Sequence, residues 1–183
     1  LEELGLSKSH QVQYQFTLAN QFAGKNGRAH DWLTVVNAVY RAEGLSQLTF
    51  EDTPTTDIDH LRAESPSESE KQATTPLVTV IVPTFEGAAR IRTALRSLSA
   101  QTWKNLEILV VDDGSSEESV SALREIVADY PSAKLLLLES NCGAYVARNE
   151  GLRIARGDFV TVHDDDDWSH PEKIATQVEF LLQ

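Results

Sequence analysis

Cysteine and methionine are almost missing from this sequence of 183 residues. Cys142 is the single cysteine, and no methionine is present even at position 1. One cysteine excludes a disulfide within the chain, so we expect a reducing compartment and a cytoplasmic location. The missing methionine suggests a segment cut from a longer chain. No apolar run approaches the roughly 20 residues of a membrane helix, so we expect no transmembrane segment in this chain.

Positive charge is also scarce. The chain has 16 Lys and Arg against 28 Asp and Glu, a net charge of -12. Such an excess of negative charge argues against nucleic acid as a partner, because a phosphate backbone would be repelled. It suits a protein that holds anionic ligands through metal ions and backbone amides. The apolar share of 41% is ordinary for a globular protein, so a buried core is expected.

The sequence pattern predicts three regions, over residues 1–52, 53–76 and 77–183. The first is a small helical extension, with one helix ending at Gly24 and a second running from an N-cap at Asp31 to Gly44. It carries no ligand-type cluster and is interpreted as a structural or interaction appendage. The second region is polar and acidic, which is typical of a linker, with a single helical turn possible within 58–63.

From residue 77 apolar strands alternate with helices. The predicted strands are 77–82, 106–111, 134–138 and 159–163. Near-continuous apolar strands separated by helices of roughly 10–15 residues indicate an α/β fold with a mostly parallel, Rossmann-like sheet. Ligands of such sheets lie beyond the carboxyl ends of the strands, which selects four loops. These loops are 83–87, 112–115, 139–143 and 164–168.

The fourth loop carries four consecutive aspartates, Asp164 to Asp167. Neighbouring carboxylates repel by about 1 kcal/mol per pair at 4 Å in water, and a divalent cation relieves this. Hard oxygen ligands suit Mg²⁺ or Mn²⁺, for which Asp164 and Asp166 have suitable spacing. A solvated acidic turn is the alternative. An EF-hand is excluded, because Ser169 and Ala175 stand where that loop needs Gly and Glu.

The other three loops offer weaker signals. Asp112 is assigned to shaping its turn, and Asp113 to binding a ribose or base. The first loop has neither the glycine spacing of a dinucleotide-binding site nor that of a P-loop, which argues against a dehydrogenase or a P-loop phosphotransferase. Phe85 is either a stacking surface for a nucleobase or a packing residue. Arg148 follows the third loop and is either a diphosphate ligand or half of a structural ion pair.

Four stretches in this order resemble the inverting glycosyltransferase family 2, which has a GT-A fold. They are V-T-V-I-V-P-T-F, N-L-E-I-L-V-V-D-D-G-S, N-x-G-x-x-x-A-R-N-x-G and G-D-F-V-T-V-H-D-D-D-D-W. The resemblance implies a nucleotide-sugar donor, most often a UDP-sugar, and a saccharide or lipid-linked acceptor. The N-terminal helices are similar to extensions on bacterial cell-surface polysaccharide transferases. That likeness implies cell-envelope polysaccharide biosynthesis and, for the full-length protein, a peripheral position at the inner face of the plasma membrane.

The resemblance also implies a role for individual residues. Pro83 and Phe85 would border the base, and Asp113 would accept a hydrogen bond from it. Asp164 and Asp165 would lie near the ribose. Asp166 of the D-x-D motif would hold Mn²⁺ or Mg²⁺ on the diphosphate. One departure concerns Glu86 and Gly87, where the family usually has asparagine.

The resemblance places the catalytic base and the acceptor site beyond Gln183, so we expect this chain to bind donor without efficient turnover. Two alternatives stay open. A sugar-nucleotide pyrophosphorylase has the same fold but uses a glycine-rich basic loop that is missing after the first strand. A non-catalytic nucleotide-binding or interaction module would keep the pocket without the chemistry. Metal-dependent binding of UDP distinguishes the enzyme from that module.

Overall fold

The computed structural model describes residues 7–20, 28–52, 57–63 and 75–183. The chain divides into two compact units, Leu1–Ser67 and Glu68–Gln183. No helix in the described residues is both long enough and apolar enough to cross a membrane.

In its described residues, the first unit contains two α-helices and a short antiparallel pair of strands. They are α1 (Lys8–Asn20), α2 (Ala29–Ala42), β1 (Leu48–Phe50) and β2 (Leu61–Ala63). The Asn37 side chain joins α2 to β1, since its amide donates to the Leu48 carbonyl at 2.8 Å and accepts from the Leu48 N–H at 2.7 Å. Both predicted helices are present. The predicted stop at Gly24 lies outside the described residues.

Two local predictions for this unit need correction. Asp31 is not an N-cap, because α2 already begins at Ala29 and Asp31 lies in its first turn, where Arg28 donates to it. The segment at 58–63 is helical only over Ile58–His60, as a 3₁₀ turn capped by Asp57, and continues as strand β2. Residues 61–63 are extended because they pair with β1, and the local sequence pattern does not reveal this pairing. Residues 75–76 of the polar region have no regular secondary structure and belong to the second unit.

The second unit is a four-stranded parallel sheet with the strand order β5-β4-β3-β6. Its strands are β3 (Val78–Thr84), β4 (Leu106–Asp112), β5 (Ala133–Leu137) and β6 (Phe159–Val162). Its helices are α3 (Ile91–Ser99), α4 (Glu117–Ala128), α5 (Ala144–Ile154) and α6 (Lys173–Leu181). All four predicted strands are present within a residue or two of their expected ends, and the α/β prediction is confirmed.

The helices cover both faces of this sheet. Buried side chains of α3, α4 and α6 pack with Val80 and Val110 in one core. On the other face, α5 lies over Ile81 and Val111, with Ala147 between them. Gly151 permits this close approach, because a Cβ there would be 2.7 Å from Ile81 Cγ2.

A buried carboxylate ties the strands together near their N-terminal ends. Glu107 of β4 accepts hydrogen bonds from Thr79 Oγ1 at 2.9 Å, Lys134 Nζ at 2.8 Å and the Arg156 N–H at 3.1 Å. Burial opposes ionisation of Glu107, but these donors outweigh it and lower the pKa of its carboxyl group. The network therefore connects β3, β4, β5 and the turn before β6 on the side opposite the predicted ligand edge.

Candidate functional site

A pocket of about 340 Å³ opens at the carboxyl ends of the strands. Its walls come from the ends of β3, β4 and β6 and from the start of α5. It is lined by Pro83, Thr84, Phe85, Arg90, Asp113, Ala144, Arg148, Asp164, Asp165 and Asp166. Every residue that the sequence predicts for donor or metal binding is among them, so the structure brings the whole predicted set together. Their individual roles stay predictions.

Asp165 joins the fourth loop to the first. Thr84 Oγ1 donates to one of its oxygens at 2.5 Å, and Arg90 Nε donates to the other at 2.9 Å. Asp165 is 7% exposed, and the hydrogen bond to it raises the pKa of Arg90. Sequence reasoning placed Asp165 at the donor and missed Thr84 and Arg90. Asp165 thus holds the first and fourth loops at a fixed separation.

Gly87 is required by this connection. A Cβ at Gly87 would lie 1.9 Å from Thr84 Oγ1 and 2.3 Å from an Asp165 oxygen, where no side chain fits. Arg90 also donates from Nη2 to the Phe85 carbonyl at 3.0 Å, which fixes the backbone beneath the half-exposed Phe85 ring. The departure from the family pattern at Gly87 thus has a physical reason in this chain.

Glu86 joins the first loop to the second. Its backbone is left-handed (φ 49°), a conformation that glutamate adopts less readily than asparagine. Three hydrogen bonds compensate. Glu86 N–H donates to Ser115 Oγ at 2.8 Å, and its carboxylate accepts from Ser116 N–H at 2.6 Å and Ser116 Oγ at 3.0 Å. A negative charge at the start of α4 is also favoured by the helix dipole.

The residue that caps the N-terminus of α4 is not the one that the sequence predicts. Ser115 and Glu118 have the spacing of a capping box. In the structure the N-cap is Ser116, whose Oγ accepts from the Ser119 N–H at 3.4 Å. The hydroxyl of Ser115 instead donates to Asp112 and accepts from the Glu86 N–H, so it contacts the first two loops and not the helix.

Asp112 and Asp113 are both buried, but they hold different parts of the chain. Asp112 accepts from the N–H and the hydroxyl of Ser115 at 3.0 and 2.5 Å, which shapes its own turn as expected. Asp113 accepts from the Cys142 N–H at 2.9 Å and the Gly143 N–H at 2.7 Å. Asp113 therefore fastens the third loop to the second while also lining the pocket. Each of its oxygens keeps a lone pair for a ligand.

Arg148 joins α5 to the fourth loop. Its Nη2 donates to Asp164 Oδ1 at 2.7 Å, and its Cζ lies 5.5 Å from the centre of the Tyr145 ring. Its Nε is buried and has no hydrogen-bond partner among the described residues. The structural ion pair that the sequence left open is thus present, and it lies at the pocket itself.

His163 anchors the start of the acidic loop. The ring is buried, its Nδ1 lies 2.8 Å from the Asp164 carbonyl, and burial lowers its pKa. A neutral ring with the proton on Nδ1 satisfies this contact. Nε2 is buried without a partner in the described part of the chain. Sequence reasoning gave His163 no role, although its place directly before the aspartates is a usable signal.

The pocket suits a divalent cation shared with a phosphate, not one held by protein alone. The described residues contain no group of three or more His, Cys, Asp or Glu side chains that could hold a metal ion by themselves. Asp166 is exposed and its carboxylate accepts no hydrogen bond within those residues, and Asp164 has one oxygen beyond its contact with Arg148. Magnesium-type sites use one or two carboxylates plus phosphate oxygens, so the carboxylates of Asp164 and Asp166 fit such a site. Four carboxylates and two guanidiniums line the pocket, an excess of two negative charges.

Comparison with protein families identifies the second unit. The model for "Glycosyl transferase family 2" matches residues 79–183. An uncharacterized glycosyltransferase of Haemophilus influenzae is 32% identical over 108 residues, which is 59% of this chain and 43% of that protein. The glycosyltransferase YibD of Escherichia coli is 37% identical over 106 residues, covering 58% of this chain and 30% of that protein. This chain therefore spans less than half the length of these relatives.

Solved structures show the same fold. The mannosyltransferase PcManGT from Pyrobaculum calidifontis, in complex with GDP-Man and Mn²⁺, superposes with a TM-score of 0.55 and 32% identity, covering 60% of this chain and 33% of that one. S. aureus TarS 1-349 in complex with UDP-GlcNAc gives 0.50 and 30% identity, covering 57% of this chain and 31% of that one. The predicted GT-A fold is confirmed by these two neighbours.

Proposed function

Since this chain belongs to glycosyl transferase family 2, we propose that residues 77–183 bind the nucleotide-sugar donor of a glycosyltransferase. The whole protein would transfer the sugar to a saccharide or lipid-linked acceptor in cell-envelope polysaccharide synthesis. The observation that carries the proposal is the pocket itself. It brings together Asp113 and Asp166 from two loops and Arg148 from helix α5, at the edge where parallel sheets bind ligands.

The donor class follows from the chemistry of the walls and from the neighbours. TarS binds UDP-GlcNAc and PcManGT binds GDP-Man, so a nucleoside diphosphate sugar is the shared ligand. We propose a UDP-sugar for this chain. Pro83 and the half-exposed Phe85 ring would border the uracil, whose N–H would donate to a free lone pair of Asp113. The guanidinium of Arg148 would face the diphosphate.

Asp164 and Asp166 would hold Mn²⁺ or Mg²⁺ together with the diphosphate oxygens. The cation, when bound, supplies positive charge against the charge that develops on the departing diphosphate. Asp165, whose two oxygens are both bonded to protein, would contribute to the ribose region through its position between Thr84 and Arg90. The hydrogen bonds between the loops would hold these side chains in position before the ligand binds.

Inverting transfer also needs a base that takes the proton of the acceptor hydroxyl. We assign that role to no carboxylate of the described residues. Asp113, Asp164 and Asp165 accept hydrogen bonds from protein donors, and Asp166 is proposed for the cation. We expect this chain to bind donor with little transfer.

The proposal is tested by calorimetry with UDP in Mn²⁺ and in EDTA. UDP should bind in Mn²⁺ and weaken by about tenfold or more in EDTA, because an interaction with a charged group is typically worth about 1.5–3 kcal/mol. Asp166→Ala should abolish the difference between the two conditions. Asp167→Ala is the matched control, since Asp167 is exposed but does not line the pocket.

Four outcomes would contradict the proposal or part of it. Equal affinity in Mn²⁺ and EDTA would remove the cation from the site. Equal effects of the two alanine variants would mean that the aspartates act only through their total negative charge and that Asp166 has no specific role at the cation. No binding of UDP or GDP in any condition would favour the non-catalytic module, and a preference for GDP would correct the base alone.

A further inference from the structure

Arg148 donates a hydrogen bond to Asp164, one of the two carboxylates proposed above to hold the cation. We propose that its guanidinium is an internal counter-ion, which an incoming divalent cation displaces from Asp164 and which then binds the diphosphate of the donor. Arg148 would thereby couple the binding of the two ligands. The inference rests on the proposed function of the pocket.

The contact between Arg148 and Asp164 competes directly with a metal ion. Arg148 Nη2 lies 2.7 Å from Asp164 Oδ1. The Asp164 side chain is 54% exposed, and within the described residues its carboxylate accepts no other hydrogen bond. A divalent cation on this carboxylate would meet a positive charge at contact distance, and like charges repel most strongly there. Either the cation binds elsewhere or the guanidinium moves.

Arg148 is poorly satisfied where it is. Guanidinium has five N–H donors, and the buried Nε finds no acceptor among the described residues. A buried donor without a partner costs free energy, so the present position is only a partial fit. The remaining support is the face of the Tyr145 ring, itself 81% exposed. Phosphate oxygens would supply the acceptors that this pose does not provide.

The second guanidinium of the pocket shows the contrast. Arg90 donates to Asp165 at 2.9 Å and to the carbonyls of Phe85 and Glu86 at 3.0 and 3.4 Å. Its carboxylate partner is 7% exposed and also bonded to Thr84. Of the two guanidiniums that line the pocket in the described part of the chain, Arg148 is therefore the one whose displacement breaks a single hydrogen bond.

The proposal predicts effects of opposite sign for one substitution. Arg148→Gln should bind Mn²⁺ more tightly than wild type in the absence of nucleotide, by roughly two- to fivefold, because it no longer competes for a partly exposed carboxylate. The same variant should bind UDP more weakly than wild type in saturating Mn²⁺, by about tenfold, because the diphosphate loses a charge-assisted donor. A residue that only stabilised the fold would not strengthen one ligand and weaken the other.

The experiment measures free Mn²⁺ by electron paramagnetic resonance during titration of the whole chain without nucleotide, then UDP by calorimetry. Arg153→Gln is the matched control. Arg153 lies on the same helix, is 71% exposed and pairs with Glu150 at 2.5 Å, so this variant removes the same charge outside the pocket. Arg148→Lys should keep much of the competition with Mn²⁺ but recover little of the UDP affinity, since an ammonium lacks the planar fork.

The inference is overturned if Arg148→Gln binds Mn²⁺ no better than wild type, including no binding by either at millimolar Mn²⁺. It is also overturned if UDP affinity is unchanged in that variant, or if Arg153→Gln behaves in the same way. The proposed function fails differently, by absence of any Mn²⁺-dependent UDP binding in the wild-type chain.

Discussion

Asp112 and Asp113 are adjacent buried carboxylates, and replacing each by asparagine should affect stability unequally. Both accept two hydrogen bonds. The partners of Asp112 are the N–H and hydroxyl of Ser115, whereas those of Asp113 are two backbone N–H groups, of Cys142 and Gly143. A hydroxyl can reverse its hydrogen bond and accept, but a backbone N–H can only donate.

The magnitude follows from this difference. In Asp112→Asn the amide oxygen accepts from the Ser115 N–H and the amide nitrogen donates to its hydroxyl, so the expected loss is below about 1 kcal/mol. In Asp113→Asn one backbone N–H faces an NH₂ group. The chain loses a charge-assisted hydrogen bond worth about 1.5–3 kcal/mol and keeps an unsatisfied buried donor, so about 2–4 kcal/mol is expected.

Urea unfolding checks this in a Trp32→Phe background. Trp103 and Trp168 are then the remaining tryptophans, and both belong to the second unit, so the fluorescence reports that unit alone. Unfolding curves should be measured in EDTA, where no ligand contributes. A loss for Asp112→Asn equal to or greater than that for Asp113→Asn would refute the argument from hydroxyl reversal.

Two further predictions concern the loop connection and the far end of the sheet. Gly87→Ala should destabilise the second unit by about 1–3 kcal/mol in the same unfolding assay, because its Cβ displaces Thr84 Oγ1 or the Asp165 carboxylate; a neutral result would mean that the loop shifts without cost. Glu107→Gln should lower the free energy of unfolding at pH 7. Because the folded-state pKa of Glu107 lies below its ordinary 4.5, its contribution is present above that pH and is lost as the pH falls through the folded-state value. The difference between wild type and variant should therefore shrink in unfolding measurements below pH 4.5, and a constant difference would contradict the linkage.

The frame of the second unit could be predicted from the sequence because its two central strands, β3 and β4, are buried on both faces. Continuous apolar runs at 77–82 and 106–111 leave few other structures for them, and parallel connection follows from the intervening helices. The rule that ligands lie beyond the carboxyl ends then selects the loops without knowledge of the strand order. The pattern therefore predicts Asp113, Arg148 and Asp166 as ligand residues, and the three line one pocket.

The hydrogen bonds inside the site could not be predicted in this way. Thr84 and Asp165 are 81 positions apart, and they meet because β6 pairs with β3 in the sheet. Glu86 and Ser116 are 30 positions apart and meet because β4 lies on the other side of β3. Strand order is a property of the whole sheet and cannot be seen in a single loop. The sequence of one loop therefore predicts contacts within its own turn or with a ligand, but not contacts with another loop.

The four loops and helix α5 are joined by four contacts, each made by a carboxylate. Glu86 joins the first loop to the second, Asp113 the second to the third, Asp164 the fourth to α5, and Asp165 the fourth to the first. Acidic residues at this edge therefore position loops as well as attract cations, and their number alone overstates the ligand set. A carboxylate oxygen that already accepts a hydrogen bond from the protein has fewer lone pairs left for a cation. The carboxylates best suited to a cation are those with the fewest protein donors, which in the described pocket are Asp166 and, once Arg148 moves, Asp164.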